Sequence, residues 1–173
     1  MDLRLDNAIG YWLFYAQRCV GYAFLEVLKR CCVKRGKPYV VTPPQWMVLY
    51  LLYYDQDGLT INTISQRRGL DAPTITGVVK RLEQNGLVER HHDRADRRVV
   101  KVYLTDEGKE IMPFLFDAVM DFNETMLRGF SATEEKDFLQ KLQQIIANMS
   151  LVAPGTGDRF HLLPDREKDL ECQ

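Results

Sequence analysis

The chain has 173 residues, of which 46% are hydrophobic and 27% charged, and its formal net charge is −1 at pH 7. This length and composition fit one soluble globular domain of ordinary size with a core of its own. They exclude a membrane-spanning protein, because the longest apolar run, residues 46–54, has about half the length that a bilayer requires.

The first third of the chain predicts two helices. Residues 6–34 carry apolar side chains at the spacing of one helical face, and Gly36 follows as a helix-ending residue. A second helix begins after Thr42, which suits an N-cap, with Pro43 at the first helical position. Because this helix is apolar nearly all round, we expect it at the centre of the fold. The apolar face of the first helix consists of Ile9, Leu13, Ala16, Val20, Ala23 and Val27.

Two shorter helices follow, separated by a sharp turn. The third spans about 60–68 and ends at Gly69, which supplies the C-terminal cap. The fourth starts at the N-cap Asp71 and ends at the Asn85-Gly86 turn. Its apolar residues recur at helical spacing and are expected to face the core. The order of these elements is typical of a helix-turn-helix unit.

An arginine-rich hairpin comes next in the chain. Residues 87–92 and 99–104 alternate as strands, and the loop 93–98 joins them. The segment 60–104 holds nine basic and five acidic residues, whereas the rest of the chain holds fourteen basic and nineteen acidic ones. A phosphate backbone responds to local charge, so this basic segment outweighs the near-zero net charge as an indicator of nucleic-acid binding.

Two further helices are predicted after the hairpin. Thr105 caps a fifth helix over roughly 106–129, and Ser131 with Glu134 forms a capping box for a sixth helix at about 132–149. Both helices carry an apolar stripe. The periodicity then stops, and we interpret residues 150–173 as a polar tail that is either disordered or packed on a partner.

The fourth helix carries the side chains expected of a DNA-reading helix. Thr74, Thr76 and Gly77 stand at its start, where threonine hydroxyls and methyls can reach base edges and a glycine allows close backbone approach. Lys80 and Arg81 lie further along, where cations can meet phosphates. Taken alone, the same residues also fit a capped helix with solvated cations. The hairpin favours the DNA-binding interpretation.

The hairpin loop concentrates three arginines, Arg94, Arg97 and Arg98, between two strands. Such a hairpin is narrow enough to place an arginine in a DNA minor groove. Asp93 and Asp96 would repel phosphates, so we expect them to brace the arginines in a fixed geometry. The alternative is a charged and solvated turn.

These segments resemble the MarR family of winged-helix regulators over about 6–149. The diagnostic runs are TITGVVKRLEQNGLV, DRADRR and LTDEG. The resemblance implies a homodimer with interlocking terminal helices that binds a pseudo-palindromic double-stranded operator, most often as a repressor. Carried over by position, it places Thr74, Thr76, Lys80 and Arg81 in the recognition helix and makes Arg98 the wing arginine, with Asp96 as its bracing partner.

The expected architecture is mainly α with a small β-hairpin wing. Residues 42–105 form the winged helix-turn-helix lobe, 1–36 together with 106–149 form a helical dimerisation region, and 150–173 form the tail. The apolar stripes of the first and sixth helices are too wide for a monomer of this size to cover, which also favours a dimer. Two recognition helices would then meet successive major grooves about 34–36 Å apart.

The resemblance further implies a small-molecule effector in the cleft between the dimer core and the winged lobe. The first two helices offer aromatic residues and one cation, which suit an aromatic acid or a similar amphipathic ligand. The alternative is that these aromatics fill only the core or the dimer interface. The predicted effector-binding residues are Tyr11, Trp12, Tyr15, Arg18, Cys19, Tyr22, Trp46 and Tyr50.

The sequence leaves two alternatives to a ligand-responsive regulator open. Cys19 lies about where the organic-hydroperoxide-sensing branch of the family keeps its reactive cysteine, which leaves a thiol-based redox sensor as one alternative. A winged-helix protein-interaction module is the other, although such a module has no need for three arginines at the tip of its wing. An enzyme is not expected, because the sequence lacks a Gly-rich phosphate loop and a nucleophile motif.

No metal or cofactor is expected. Adjacent residues of a strand point to opposite faces, so His91 and His92 cannot form one metal site unaided. The four cysteines fit neither a zinc pattern nor a CxxC motif. The first residues lack the features of a secretory signal, so we expect a cytoplasmic location, no membrane contact and free thiols. The cysteines are Cys19, Cys31, Cys32 and Cys172.

Overall fold

The computed structural model describes residues 8–55, 58–93 and 96–153. Their mainly helical architecture with a small antiparallel sheet confirms the predicted fold class. Among these residues, no helix is both long and apolar enough to cross a membrane. The elements are α1 (Ile9–Lys34), α2 (Pro43–Tyr54), β1 (Leu59–Thr60), α3 (Ile61–Arg68), α4 (Ala72–Gln84), β2 (Val88–His92), β3 (Val100–Leu104), α5 (Asp106–Met126) and α6 (Ala132–Val152).

Helix α2 lies at the centre of the fold, as its apolar sequence predicts. It contacts α1, α3, α4, α5 and β3. Trp46, Val48, Leu49 and Leu52 are buried. Its first turn is closed by a capping box, in which the backbone N–H of Thr42 donates to the Gln45 side chain at 2.8 Å. One side of the helix nevertheless remains open, because Tyr50 and Tyr54 are exposed.

The helix boundaries follow the capping residues seen in the sequence. The side chains of Asp71, Thr105 and Ser131 each accept a backbone N–H from the first turn of α4, α5 and α6. The predicted end of the fifth helix at residue 129 is wrong, since α5 stops at Met126. Gly129 has a φ of 95°, outside the helical region of backbone space, so the helix cannot extend to the predicted end.

The sheet has one strand more than the sequence predicts. β3 lies in the middle, paired with both β1 and β2 in antiparallel fashion. In the β2–β3 hairpin, Val88 faces Leu104 and His92 faces Val100. The sequence gives no signal for β1 because a strand of two residues is too short to show an alternating pattern.

Much of the apolar surface of α1 and α6 is left uncovered within one chain. α1 buries Leu28 and Cys32, and Phe24 stacks on Phe122 of α5 at 5.3 Å between ring centroids. The predicted apolar face of α1 is mostly outside this contact, and no residue of α6 is fully buried. We call the uncovered side chains the α1–α6 apolar surface. It comprises Ile9, Trp12, Phe14, Tyr15, Val20 and Tyr22 on α1 and Phe138, Leu139, Met149, Leu151 and Val152 on α6.

Candidate nucleic-acid interface

Helix α4 separates a buried face from an exposed one. Ile75, Val78, Val79 and Leu82 are buried and hold the helix against the core. A helix repeats every 3.6 residues, so Gly77 lies on the side opposite these four residues. The predicted DNA-contacting side chains around it, Thr74, Thr76, Lys80 and Arg81, are all exposed.

The two threonines of this face use their hydroxyl protons within the helix. The Thr74 hydroxyl donates to the Asp71 carboxylate at 2.8 Å, and the Thr76 hydroxyl donates to the carbonyl of Ala72 at 2.8 Å. A hydroxyl has one proton and two acceptor lone pairs. These side chains therefore present acceptor oxygens and methyl groups, which a bound DNA could contact. The sequence left their hydrogen-bonding role open.

Packing within the described part of the chain does not require a glycine at position 77. A Cβ placed on Gly77 would find no atom within 4 Å. A glycine inside a helix costs about 0.5–1 kcal/mol relative to alanine. Gly77 thus lies at the centre of the exposed face of α4. It lowers the stability of the helix, and no contact of the described chain requires a glycine there.

The wing loop is held by the two aspartates through backbone contacts. The Asp96 carboxylate accepts the backbone N–H of Arg98 at 2.9 Å. The Asp93 carboxylate accepts the backbone N–H of Asp96 at 3.2 Å and pairs with the Lys101 ammonium at 2.9 Å. His92 contributes a 2.7 Å hydrogen bond from Nδ1 to the carbonyl of Arg97.

The sequence left open which atoms of the arginines the aspartates would hold. Asp96 fixes the backbone of Arg98, and in the described chain no carboxylate is seen paired with the guanidinium groups of Arg97 and Arg98. Both side chains are exposed. Arg94 lies outside the described residues. In the described part of the loop, Arg97 and Arg98 are thus exposed on a backbone that Asp93, Asp96 and His92 hold by hydrogen bonds.

An ion pair joins the recognition helix to the wing. Arg90 Nε of β2 lies 3.4 Å from Glu83 Oε2 of α4. The pair lacks hydrogen-bond geometry, since Arg90 Nε has no hydrogen-bond partner among the described residues. We regard it as a weak, partly exposed charge contact that helps to set the angle between α4 and the hairpin.

The predicted effector residues fall into two separate groups within one chain. On α1, Tyr15, Arg18, Cys19 and Tyr22 line an open depression of about 520 Å³. The Arg18 guanidinium stacks on the neighbouring Phe14 ring at 5.6 Å. None of the described ring contacts joins these α1 residues to the predicted α2 residues. Those contacts involve Tyr11, Trp12, Tyr15 and Phe14 on α1 and Trp46, Tyr50, Tyr53 and Tyr54 on α2.

The α2 residues belong to an aromatic cluster that includes a ring from α5. Phe116 lies 5.2 Å from Trp46 and 5.8 Å from Tyr50 between ring centroids, in edge-to-face orientations. Tyr53 and Tyr54 also contact Phe116. We call these five residues the α2–α5 aromatic cluster. Sequence reasoning missed Phe116 because it lies beside, and not on, the apolar stripe of α5.

Arg68 borders this cluster and was also missed by sequence reasoning. Its Nη2 donates to the carbonyl of Met47 at 3.0 Å, and its Cζ lies 5.7 Å from the centre of the Tyr50 ring. Nε of Arg68 is shielded from solvent and has no hydrogen-bond partner among the described residues. Burial lowers the pKa of this guanidinium below its ordinary value. An unpaired buried N–H costs on the order of 1–3 kcal/mol.

The cysteines differ in exposure. Cys19 is exposed, Cys32 is buried, and the Cys31 thiol donates to the carbonyl of Phe114 at 3.4 Å. Burial raises the pKa of the Cys31 and Cys32 thiols, so both stay protonated and weakly nucleophilic near neutral pH. Over residues 8–55, 58–93 and 96–153, no group of three or more His, Cys, Asp or Glu side chains could hold a metal ion.

The α3–turn–α4 pair followed by the β2–β3 hairpin defines a winged helix-turn-helix protein. The MarR family model matches residues 41–100, which cover the core of this lobe. The chain is 35% identical over 107 residues to the uncharacterized HTH-type transcriptional regulator YsmB of Bacillus subtilis (strain 168), covering 62% of this chain and 73% of that protein. The chain therefore belongs to the MarR family of DNA-binding transcriptional regulators.

Two further comparisons agree with this membership. The HTH-type transcriptional regulator TtmR of Methylorubrum extorquens (strain PA1) is 34% identical over 105 residues, which is 61% of this chain. The match spans about half of that relative, 49% of its length. The transcriptional regulator PcaV from Streptomyces coelicolor, solved in complex with its natural ligand, superposes with a TM-score of 0.68 at 27% identity, covering 84% of this chain and 96% of PcaV.

Proposed function

We propose that this chain acts as a homodimer that binds a pseudo-palindromic operator, represses transcription and releases the DNA when a small aromatic or amphipathic ligand binds. The observation that carries the DNA-binding part is the pairing of an open α4 face with a braced wing. Thr74, Thr76, Gly77, Lys80 and Arg81 would enter the major groove, and Asp96 would hold the loop that places Arg94, Arg97 and Arg98 near the minor groove.

The bracing of the wing supports this function energetically. Loop residues whose backbone is already held by hydrogen bonds, as at 96–98, lose little conformational entropy when they meet DNA. Because Asp93 and Asp96 are occupied by backbone and lysine groups, their charges are partly compensated and repel phosphates less. The exposed guanidinium groups of Arg97 and Arg98 remain available for phosphates or the minor groove.

The α1–α6 apolar surface supports the homodimer. Tyr22 is 71% and Leu151 is 83% exposed, and the exposure of so many large apolar side chains is unusual on a soluble monomer. A second copy would cover both helices by symmetry, in keeping with a dimerisation region made of 1–36 and 106–149 and a separate lobe of 42–105. The proposed repression and ligand release are supported by the family and by the ligand complex of PcaV. We also propose a cytoplasmic location, as expected for a regulator that binds DNA.

The DNA-binding part is tested with Arg98→Ala and a matched control, Arg128→Ala, which removes another exposed arginine between α5 and α6. Operator affinity is measured as a function of salt concentration. Loss of one phosphate contact reduces the slope of log K against log salt by about 0.9. We expect that change for Arg98→Ala and no change for Arg128→Ala. An unchanged affinity and slope for Arg98→Ala would refute the role of the wing.

The homodimer is tested by sedimentation equilibrium of the full chain over a dilution series. A dimer mass at every concentration at which the protein stays folded is the expected result. A monomer mass with unchanged helical circular dichroism would contradict the proposal, because it would show that the α1–α6 apolar surface is stable in water.

A further inference from the structure

The hydroxyl protons of Thr74 and Thr76 are both used in hydrogen bonds at the start of α4. Thr76 donates to the backbone carbonyl of Ala72, and Thr74 donates to the carboxylate of Asp71, each at 2.8 Å. A carbonyl oxygen and an ionised carboxylate accept hydrogen bonds and donate none, so the proton of each bond must come from the threonine. Because each hydroxyl has a single proton, it meets DNA only with its lone pairs, as an acceptor.

The two threonines lie on either side of the middle of the exposed face of α4. Successive helix residues are about 100° apart around the axis, which places Thr74 on one side of Gly77 and Thr76 on the other. Both threonine side chains are exposed. A Cβ placed on Gly77 would find no atom of the described chain within 4 Å. The surface between the threonines is therefore open to the edges of base pairs, which their oxygens and methyl groups can contact.

The base pairs differ in the groups that they present in the major groove. Guanine offers only the acceptors N7 and O6, which cannot bond to an oxygen that is itself restricted to accepting. Cytosine offers an amino donor but no methyl group. Adenine offers an amino donor at N6, and its partner thymine carries the C5-methyl group. The A·T pair alone therefore presents both a donor and a methyl group, which are the two complements of a threonine whose proton is already used.

We propose that Thr74 and Thr76 select A·T base pairs in the operator. Each threonine oxygen accepts a hydrogen bond from an adenine N6 amino group, and each threonine methyl group packs on a thymine methyl group. This inference rests on the proposed function, in which α4 enters the major groove, and it assigns the base pairs that the helix reads. Guanine at either position would require the hydroxyl to leave its bond within α4 before it could donate. Loss of such a hydrogen bond corresponds to about two- to tenfold in affinity.

The test begins with selection of the operator from a random duplex library by the full chain. Each adenine of the selected half-site is then replaced by unsubstituted purine, which lacks the N6 amino group, and each thymine by uracil, which lacks the methyl group. Affinities are measured by fluorescence anisotropy for wild type, Thr76→Val and Thr76→Ser. Valine keeps the methyl group and loses the oxygen, whereas serine keeps the hydroxyl and loses the methyl group. Thr74→Val and Thr74→Ser are measured in the same way.

For each threonine we expect one adenine at which purine weakens wild-type binding about two- to tenfold more than binding by the valine variant. We also expect one thymine at which uracil weakens wild-type binding about fourfold more than binding by the serine variant, which is the effect of one buried methyl group. Any effect of the altered base on the duplex itself is common to both proteins and cancels in this comparison. The matched control is Thr133→Val, which alters an exposed threonine of α6 and should respond to both bases as wild type does.

Folding of each variant is checked by circular dichroism. Loss of the Thr76 hydroxyl should not disturb α4, because a bond from a helical threonine to the carbonyl four residues earlier does not stabilise a helix. In Thr74→Val the Asp71 carboxylate still accepts the backbone N–H of residue 74 and caps the helix. The serine variants keep the internal hydrogen bonds, so they carry the test if a valine variant does not fold.

The outcomes separate this inference from the proposed function on which it rests. A selected half-site without A·T pairs, or equal losses for wild type and the folded variants at every adenine and thymine, overturns the base assignment. If operator affinity still depends on Arg98 in that case, the DNA-binding function stands and only the assignment to Thr74 and Thr76 fails. A chain that selects no operator refutes both.

Discussion

Gly77→Ala separates the demands of folding from those of DNA binding at a single position. The substitution places one methyl group at the centre of the exposed face of α4, where no atom of the described chain lies within 4 Å of it. Because alanine restricts the unfolded chain and favours the helix, the free energy of unfolding should rise by about 0.5–1 kcal/mol. The same methyl group would stand between the helix and a base edge.

The expected effect on DNA binding has the opposite sign. An extra methyl group in a closely packed contact typically costs about 1–3 kcal/mol. Since about 1.4 kcal/mol corresponds to tenfold, we expect operator affinity to fall by roughly five- to 150-fold. Stability is measured by urea denaturation, and affinity by fluorescence anisotropy of a labelled operator at fixed salt.

Gly21→Ala is the matched control. Gly21 lies inside α1, and a Cβ there also finds no atom within 4 Å. Gly21→Ala should raise the free energy of unfolding by a similar amount and leave operator affinity unchanged. Sedimentation checks that the variant has the same mass in solution as wild type. A Gly77→Ala protein that is more stable and binds the operator as tightly as wild type would show that the backbone at Gly77 is not close to DNA.

Two further substitutions test contacts that hold the lobe together. In Gly108→Ala the new Cβ would lie 2.1 Å from the carbonyl oxygen of Leu87, so the start of α5 must move away from β2. Thermal denaturation should show that the free energy of unfolding falls by about 3 kcal/mol. An unchanged melting temperature would contradict the close approach. Hydrogen bonds from Lys37 and then from Tyr39 lower the pKa of Glu107. The ionised Glu107 carboxylate therefore stabilises the folded protein above the pKa that Glu107 has in the unfolded chain. This contribution is lost as pH falls through the lower pKa of the folded state. Glu107→Gln should therefore be less stable than wild type at neutral pH, with a difference that shrinks below about pH 4 in acid denaturation; a difference independent of pH would refute this role.

Much of the secondary structure was predictable because its causes are local. The side chains that cap α4 and α6, Asp71 and Ser131, lie within three residues of the N–H groups that they accept. The apolar spacing of α4 likewise gave its buried face, and the alternation of β2 and β3 gave the hairpin. The short strand β1 escaped because its pairing with β3 joins residues more than forty positions apart.

The candidate site was predictable in composition but less so in its contacts. The spacing of α4 correctly indicated that Lys80 and Arg81 are exposed, and the wing sequence indicated clustered arginines. The sequence did not reveal that the Asp96 carboxylate accepts the backbone N–H of Arg98. The roles of these residues in DNA binding stay predictions until the Arg98 and Gly77 variants are measured.

The sequence by itself determined the kind of protein: the order of helices, the helix-turn-helix unit, the arginine-rich wing and the family. These features depend on periodicity, capping and local charge, which act over a few residues. Only the tertiary structure decided that Arg67 has an acidic partner, whereas Arg68 lies beside Tyr50 and its Nε has no hydrogen-bond partner among the described residues. It also decided that Phe116 joins the aromatic residues of α2. Such differences depend on burial and on distances between segments that are far apart in the chain. Two neighbouring arginines look alike in the sequence, so the sequence cannot show which of them has an acidic partner.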